Sequence, residues 1–214
     1  MSAITRHSDL LFAVADWEPS VTQLMDEAHL VAWSESAHRR CQFAAALGQF
    51  LGTMRDTEVC VLMGEHITDL ESFASQLERL IPGPGLERKI DGARGIASLL
   101  RHRHTLRGRP AAKHRFYIWN DADVLLKRNH RLFGRLVDAF AGIAAEAEYA
   151  SDDLLLLHRL ALVGGPALDM YAEDPGGQCR AWFSEQGTDP FWRIVTGIEA
   201  PTFLRYQIDL LARE

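Results

Sequence analysis

Three apolar runs of strand length, set between stretches of helical periodicity, constrain this chain more than anything else in it. They are VCVLM (59–63), FYIW (116–119) and LLLLHRLALV (154–163). Continuous rather than alternating apolar character is what a strand needs when both of its faces are covered, so each run reads as a buried parallel strand. Between them, apolar residues recur in steps of three and four. Leu70, Phe73, Ala74, Leu77, Leu80 and Ile81 share one helical face before the breaker PGPG, and Leu132, Phe133, Leu136, Val137, Phe140, Ile143, Ala144 and Ala147 share another. Strands alternating with helices predict a three-layer α/β fold with a largely parallel sheet.

The flanks add elements to this core. Ser20, after Pro19, is a plausible N-cap for a helix carrying Val21, Leu24, Met25, Ala28, Val31 and Ala32. A second helical run holds Phe43, Ala44, Leu47, Phe50, Leu51 and Met54, while residues 10–14 form a short strand or helix. Further helices are expected over 91–103 and in PALDMYAED. CRAWF is ambiguous, and Asp189 and Pro190 open an aromatic turn or helix through Trp192. Near the end, Leu204, Tyr206, Ile208 and Leu210 alternate with Arg205, Gln207 and Asp209, which predicts an edge strand with one wet face. With 214 residues, 47% of them apolar, one core suffices, so 1–214 is expected to be a single domain. Its parts are an N-terminal helical stretch (1–56), an α/β core (57–165) and a mixed C-terminal extension (166–214).

Charge and cysteine content narrow the function classes. No apolar run approaches the roughly 20 residues of a membrane helix, and acids interrupt the apolar start of the chain, so neither a membrane span nor a secretory signal is expected. Cys41, Cys60 and Cys179 are odd in number and widely spaced, which suits a reducing cytoplasm better than a disulfide framework. The net charge of -6 hides a basic segment at 87–115, with nine basic residues against two acids. Arg101, Arg103, Arg107, Arg109, Lys113 and Arg115 within it are candidates for contacting an anionic partner, nucleic acid included. The segment has no aromatic platform for bases, so an acidic protein surface fits it as well.

Two stretches carry a resemblance. FYIWNDADVLL resembles the Walker B segment of AAA-type P-loop ATPases, with Asn120 at the magnesium-associated aspartate and Asp121 at the catalytic glutamate. Gly64 lies 56 residues before Asn120 and opens GEHITDLE, aligned with GxxxxGK[ST]. In that alignment Asp69 replaces the second glycine, Leu70 the lysine and Glu71 the hydroxyl residue, so two carboxylates stand where phosphates would sit. The run ending at Gly164 falls where a sensor strand belongs. The resemblance, over about half the chain, thus implies a degenerate AAA-type P-loop fold, its Walker A chemistry lost and its Walker B altered. The same GEHITDLE stretch also reads as a helix start, because Thr68 and Glu71 have the spacing of a capping box.

Other constellations compete with this. Asp121 and Asp123, as a DxD after a strand, resemble the metal-holding carboxylates of nucleotide-sugar glycosyltransferases and would suit a divalent cation on a phosphate-containing substrate. His66 beside Glu65 is a candidate acid or base, though a turn residue is the simpler reading. His102, His104 and His114 lack a fourth ligand at zinc spacing. The strand followed by ITDLESF is loosely similar to barstar-type inhibitors, which implies a small protein-binding module. Taken together, the expectation is a soluble cytoplasmic subunit that binds or assembles with a protein or anionic partner, without a cofactor or a metal. A metal-dependent enzyme working through Asp121 and Asp123 is the first alternative, and the inhibitor-like module the second.

Overall fold

The computed structural model describes residues 29–80, 114–149, 158–173 and 203–209. Its five strands are β1 (His29–Trp33), β2 (Thr57–Met63), β3 (His114–Asn120), β4 (His158–Gly164) and β5 (Phe203–Gln207). They form one sheet in the order β2-β3-β4-β1-β5, and every pairing is parallel. The helices are α1 (Ala37–Gly52), α2 (Leu70–Leu80), α3 (Asp123–Arg128), α4 (His130–Tyr149) and α5 (Ala167–Glu173), with a 3-10 turn at Gly64–His66 between β2 and α2. This is the three-layer parallel architecture that the alternation of runs predicts.

Handedness explains which helix covers which face. From β1 the chain crosses to β2 at one end of the sheet, whereas β3, β4 and β5 are reached by moving the other way. Right-handed crossovers therefore put α1 on one face and the later helices on the other. The core divides accordingly. Phe43, Ala46, Leu47 and Leu51 of α1 pack on Leu30, Ala32, Phe116, Ile118, Ala161 and Val163. On the opposite face, Val31, Cys60, Leu62, Tyr117, Trp119, Leu160 and Leu162 meet Phe73, Leu77, Phe133, Leu136, Phe140 and Leu168. Here the aromatic rings form a chain, with Phe73 and Phe133 each 5.3 Å from Trp119, and Tyr171 edge-on to Phe133 at 5.0 Å. β5 closes the sheet edge beside β1, as the alternating C-terminal pattern predicts, and Arg205 on it pairs with Asp169 of α5 at 2.8 and 3.0 Å.

Two expectations need correction. Val31 and Ala32 belong to strand β1 rather than to an N-terminal helix, so the 1–56 stretch contributes an interior strand to the sheet. The run at 59–63 is a strand, but the edge one among the described residues: Val61 and Met63 are 37% and 38% exposed. The expected elements at 10–14, 20–28, 91–103 and 180–192 lie outside the described residues. No described helix is long and apolar enough to cross a membrane.

Candidate functional site: the carboxyl ends of β1, β3 and β4

In an open parallel sheet, ligands bind outside the carboxyl ends of the strands, where neighbouring connections depart in opposite directions. In this order that crevice lies between β1, whose connection runs to β2, and β4, whose connection passes over β1 to β5. β1 is followed by just three residues, Ser34, Glu35 and Ser36, before α1 begins. Ser36 is the N-cap, its hydroxyl accepting from the Arg39 amide at 3.4 Å. Buried Ser34 accepts the Ser36 amide at 3.0 Å and donates its own hydroxyl to Asp209 at 2.9 Å. Asp209 also accepts from Arg39 Nη1 at 2.8 Å.

The end of β3 faces this turn. Asn120 is buried and Asp121 follows with φ of 49°, the left-handed region that asparagine and aspartate tolerate better than most side chains. Arg40, one turn into α1, binds Asp121 through Nε at 2.9 Å and gives Nη1 to the carbonyls of Ser34 and Glu35 at 3.0 and 3.1 Å. Asn120 donates to the other Asp121 oxygen at 3.3 Å and to the Cys41 sulfur at 3.6 Å. One guanidinium thus ties the strand end of β3 to the β1 turn. β4 fastens both loops, since the Gly164 carbonyl accepts the Ser34 amide at 3.1 Å and the Val163 carbonyl the Ala122 amide at 3.0 Å.

Asp123 has a separate environment. It is 4% exposed at the first turn of α3, paired with Lys127 at 2.7 Å, and its carboxylate lies against the backbone of Gly164 and Gly165. A Cβ on Gly164 would stand 2.5 Å from Asp123 Oδ1 and 2.8 Å from Leu168 Cδ1, so a larger residue would have to displace those side chains. The two DxD carboxylates are therefore held by different cations on different helices. Among the described residues no group of three or more histidine, cysteine, aspartate or glutamate side chains comes together as a metal site.

GEHITDLE lies elsewhere. Gly64 directly follows strand β2, with β3 and β4 between it and the crevice. Its glycine has a packing reason: a Cβ there would be 2.3 Å from the Asp121 carbonyl oxygen and 2.4 Å from that of Asn120. The helix start that follows is capped one residue later than the expected Thr68 and Glu71 box. Asp69 Oδ1 accepts the Ser72 amide at 2.8 Å, and the Ser72 hydroxyl accepts the amides of Thr68 and Asp69 at 3.0 and 3.1 Å. The Ser72 amide and hydroxyl together hold Asp69 below the usual carboxylate range. His66 is 69% exposed, with Glu65 at 3.3 Å.

Of the six basic candidates for anion contact, Arg115 is the one among the described residues. It is buried on β3 and committed to Glu58 on β2, with Nε 2.8 Å from Oε2 and Nη2 on the same oxygen. Arg101, Arg103, Arg107, Arg109 and Lys113 lie outside the described residues, as do His102 and His104. Arg39, Arg40, Ser34 and Asp209 were not singled out in the sequence. Recognising HLVAW as a strand would have placed the first three at its carboxyl end.

Among solved structures, the chain is similar to Cdc6p from Pyrobaculum aerophilum, with 12% identity and a TM-score of 0.50 over 96% of this chain and 46% of that one. The fold is P-loop-like. A second structure, Drosophila ORC bound to GC-rich DNA and Cdc6, is matched at 13% identity and a TM-score of 0.46, over 94% of this chain and 29% of that one. This P-loop-like chain thus spans less than half the length of either. No protein-family model and no curated protein matches it.

Proposed function

We propose that this chain is a non-catalytic binding or assembly subunit of P-loop-like fold, cytoplasmic, whose nucleotide site is degenerate. One observation carries the reading: the turn after β1, at the crevice where phosphate would lie, is Ser34-Glu35-Ser36, with no glycine and no lysine, and Arg40 beside it is spent on Asp121. A phosphate loop works through glycines that turn backbone amides toward the phosphates, a lysine, and a hydroxyl for magnesium. Here the turn presents a carboxylate, and the Ser34 and Ser36 amides and the Ser34 hydroxyl are used within the protein. Asp121 is neutralised internally, which also weighs against the metal-dependent enzyme.

The partner we assign is a protein or a polyanion, with Arg101, Arg103, Arg107, Arg109 and Lys113 as the contacts for the latter. Binding through them should weaken steeply with added salt.

Titration with a fluorescent ATP analogue and magnesium tests the degenerate site directly. No saturable signal is expected from the native chain. Measurable ATP turnover, or a magnesium-dependent thermal shift, that disappears in Asp121→Ala would overturn the proposal. Affinity isolation of the native protein should then recover a partner rather than a nucleotide.

A further inference from the structure

Gln76 makes an unusual pair of contacts. Its side-chain amide accepts the Met63 backbone N–H at 2.9 Å and donates to the Met63 carbonyl at 2.9 Å, so one planar group satisfies both main-chain groups of a strand residue. That is the pairing a neighbouring strand would supply. Gln76 is 6% exposed, held in place by α2, whose Phe73 and Leu77 are fully buried in the core.

The direction of these bonds identifies the edge they close. The Asp56 carbonyl accepts from the His114 amide at 3.0 Å, which points the main chain of 56, and by alternation of 58, 60 and 62, toward β3. Met63, with Thr57, Val59 and Val61, therefore directs its N–H and C=O away from β3, to the outer edge. Among the described residues no strand pairs with that edge. The edge strand has seven residues with Thr57, Val59 and Val61 β-branched, and its exposed side chains, Val61 and Met63, are apolar, with no lysine or proline to discourage pairing.

We propose that Gln76 is an edge guard: a side chain standing in for a strand residue, which stops a second copy of this chain from adding its own β2 to the outer edge. A second copy is the occupant it excludes, because the outward donors and acceptors at Thr57, Val59 and Val61, which no other described strand pairs, are self-complementary in an antiparallel two-fold pairing. With Met63 engaged, such a pairing lacks the last position at the carboxyl end of the strand. Removing the guard extends the open edge over the whole of Thr57–Met63. This holds whether or not the chain is a non-catalytic subunit.

Two variants of the full chain test it, Gln76→Ala and the closer-fitting Gln76→Leu, with sedimentation velocity over a range of concentrations and amide hydrogen exchange. In the native chain the Met63 amide should exchange slowly and those of Val59 and Val61 quickly. Either folded variant should show fast Met63 exchange at low concentration, and concentration-dependent association that slows Val59 and Val61. Adding Val61→Pro, which removes an outward N–H and leaves the β3 ladder whole, should reverse the association. The proposal is overturned if both variants keep the native association state, if Val61→Pro leaves their association unchanged, or if Val59 and Val61 are already protected in the dilute native chain.

Discussion

Mild acid should destabilise this protein through His29. It begins β1 and is buried between β4 and β5, with its ring 5.9 Å from that of Phe203 and its Nδ1 accepting the Leu160 amide at 3.1 Å. The imidazole must be neutral to accept there. Burial, reinforced by the nearby Arg159 charge, pushes its pKa down to about 3. Unfolded, the same ring takes up a proton near its ordinary value of about 6.5. Because the folded pKa is the lower one, the folded state binds fewer protons between these values, and stability falls as pH drops from about 6.5 toward 3. The loss is about 2 kcal/mol at pH 5 and about 4 kcal/mol at pH 3, since each tenfold difference in proton affinity between the two states is worth roughly 1.4 kcal/mol.

Urea unfolding at pH 7 and pH 5, for the native chain and for His29→Asn, isolates this contribution. Asparagine can still accept the Leu160 amide but does not titrate, and every other group is shared. The native chain should lose about 2 kcal/mol more than the variant between the two pH values. Parallel losses in the two proteins would refute the assignment of a neutral, buried His29.

Gly64→Ala should cost about 2 to 3 kcal/mol, because the new methyl meets backbone oxygens of Asn120 and Asp121 rather than a movable side chain. The urea midpoint measures this, and an unchanged midpoint would mean that the β2 and β3 ends separate easily. Glu58→Gln leaves the Arg115 guanidinium buried without its counter-charge and should cost about 2 to 3 kcal/mol. Replacing both residues, as Glu58→Gln with Arg115→Met, should recover part of that loss; a harmless single variant would show that solvent screens the pair.

What was legible in the sequence follows from where each signal resides. FYIW and the long apolar face from Leu132 onward are local patterns backed by burial, and they appear as β3 and α4. HLVAW was hidden because Val31 and Ala32 continue the steps of three and four begun at Val21. A five-residue strand buried among neighbours has no period of its own to set against that. VCVLM announced a strand, yet its edge position depends on the order in which distant strands pair, and composition does not encode that. The site divides in the same way. Asp121 could be placed at a strand end from its neighbours alone, whereas Arg40 is 81 residues away from it along the chain and nothing local marks it as its partner. Gly64 invited a phosphate reading because glycine is permissive at loops that bind ligand. The need it meets is close contact with another stretch of its own backbone.

The brevity of the link between β1 and α1 has a consequence for any attempt to build a phosphate-binding loop here. A phosphate loop wraps its ligand with successive backbone amides, and that takes a run of residues between strand and helix. Three residues span the gap here, two of them serines whose hydroxyls fasten the turn to itself, to the helix and to Asp209. Exchanging Ser34, Glu35 and Ser36 for glycines would remove those fastenings without lengthening the path. Building a cradle would require added chain and release of Arg40 together, two changes of different kind, neither of use without the other.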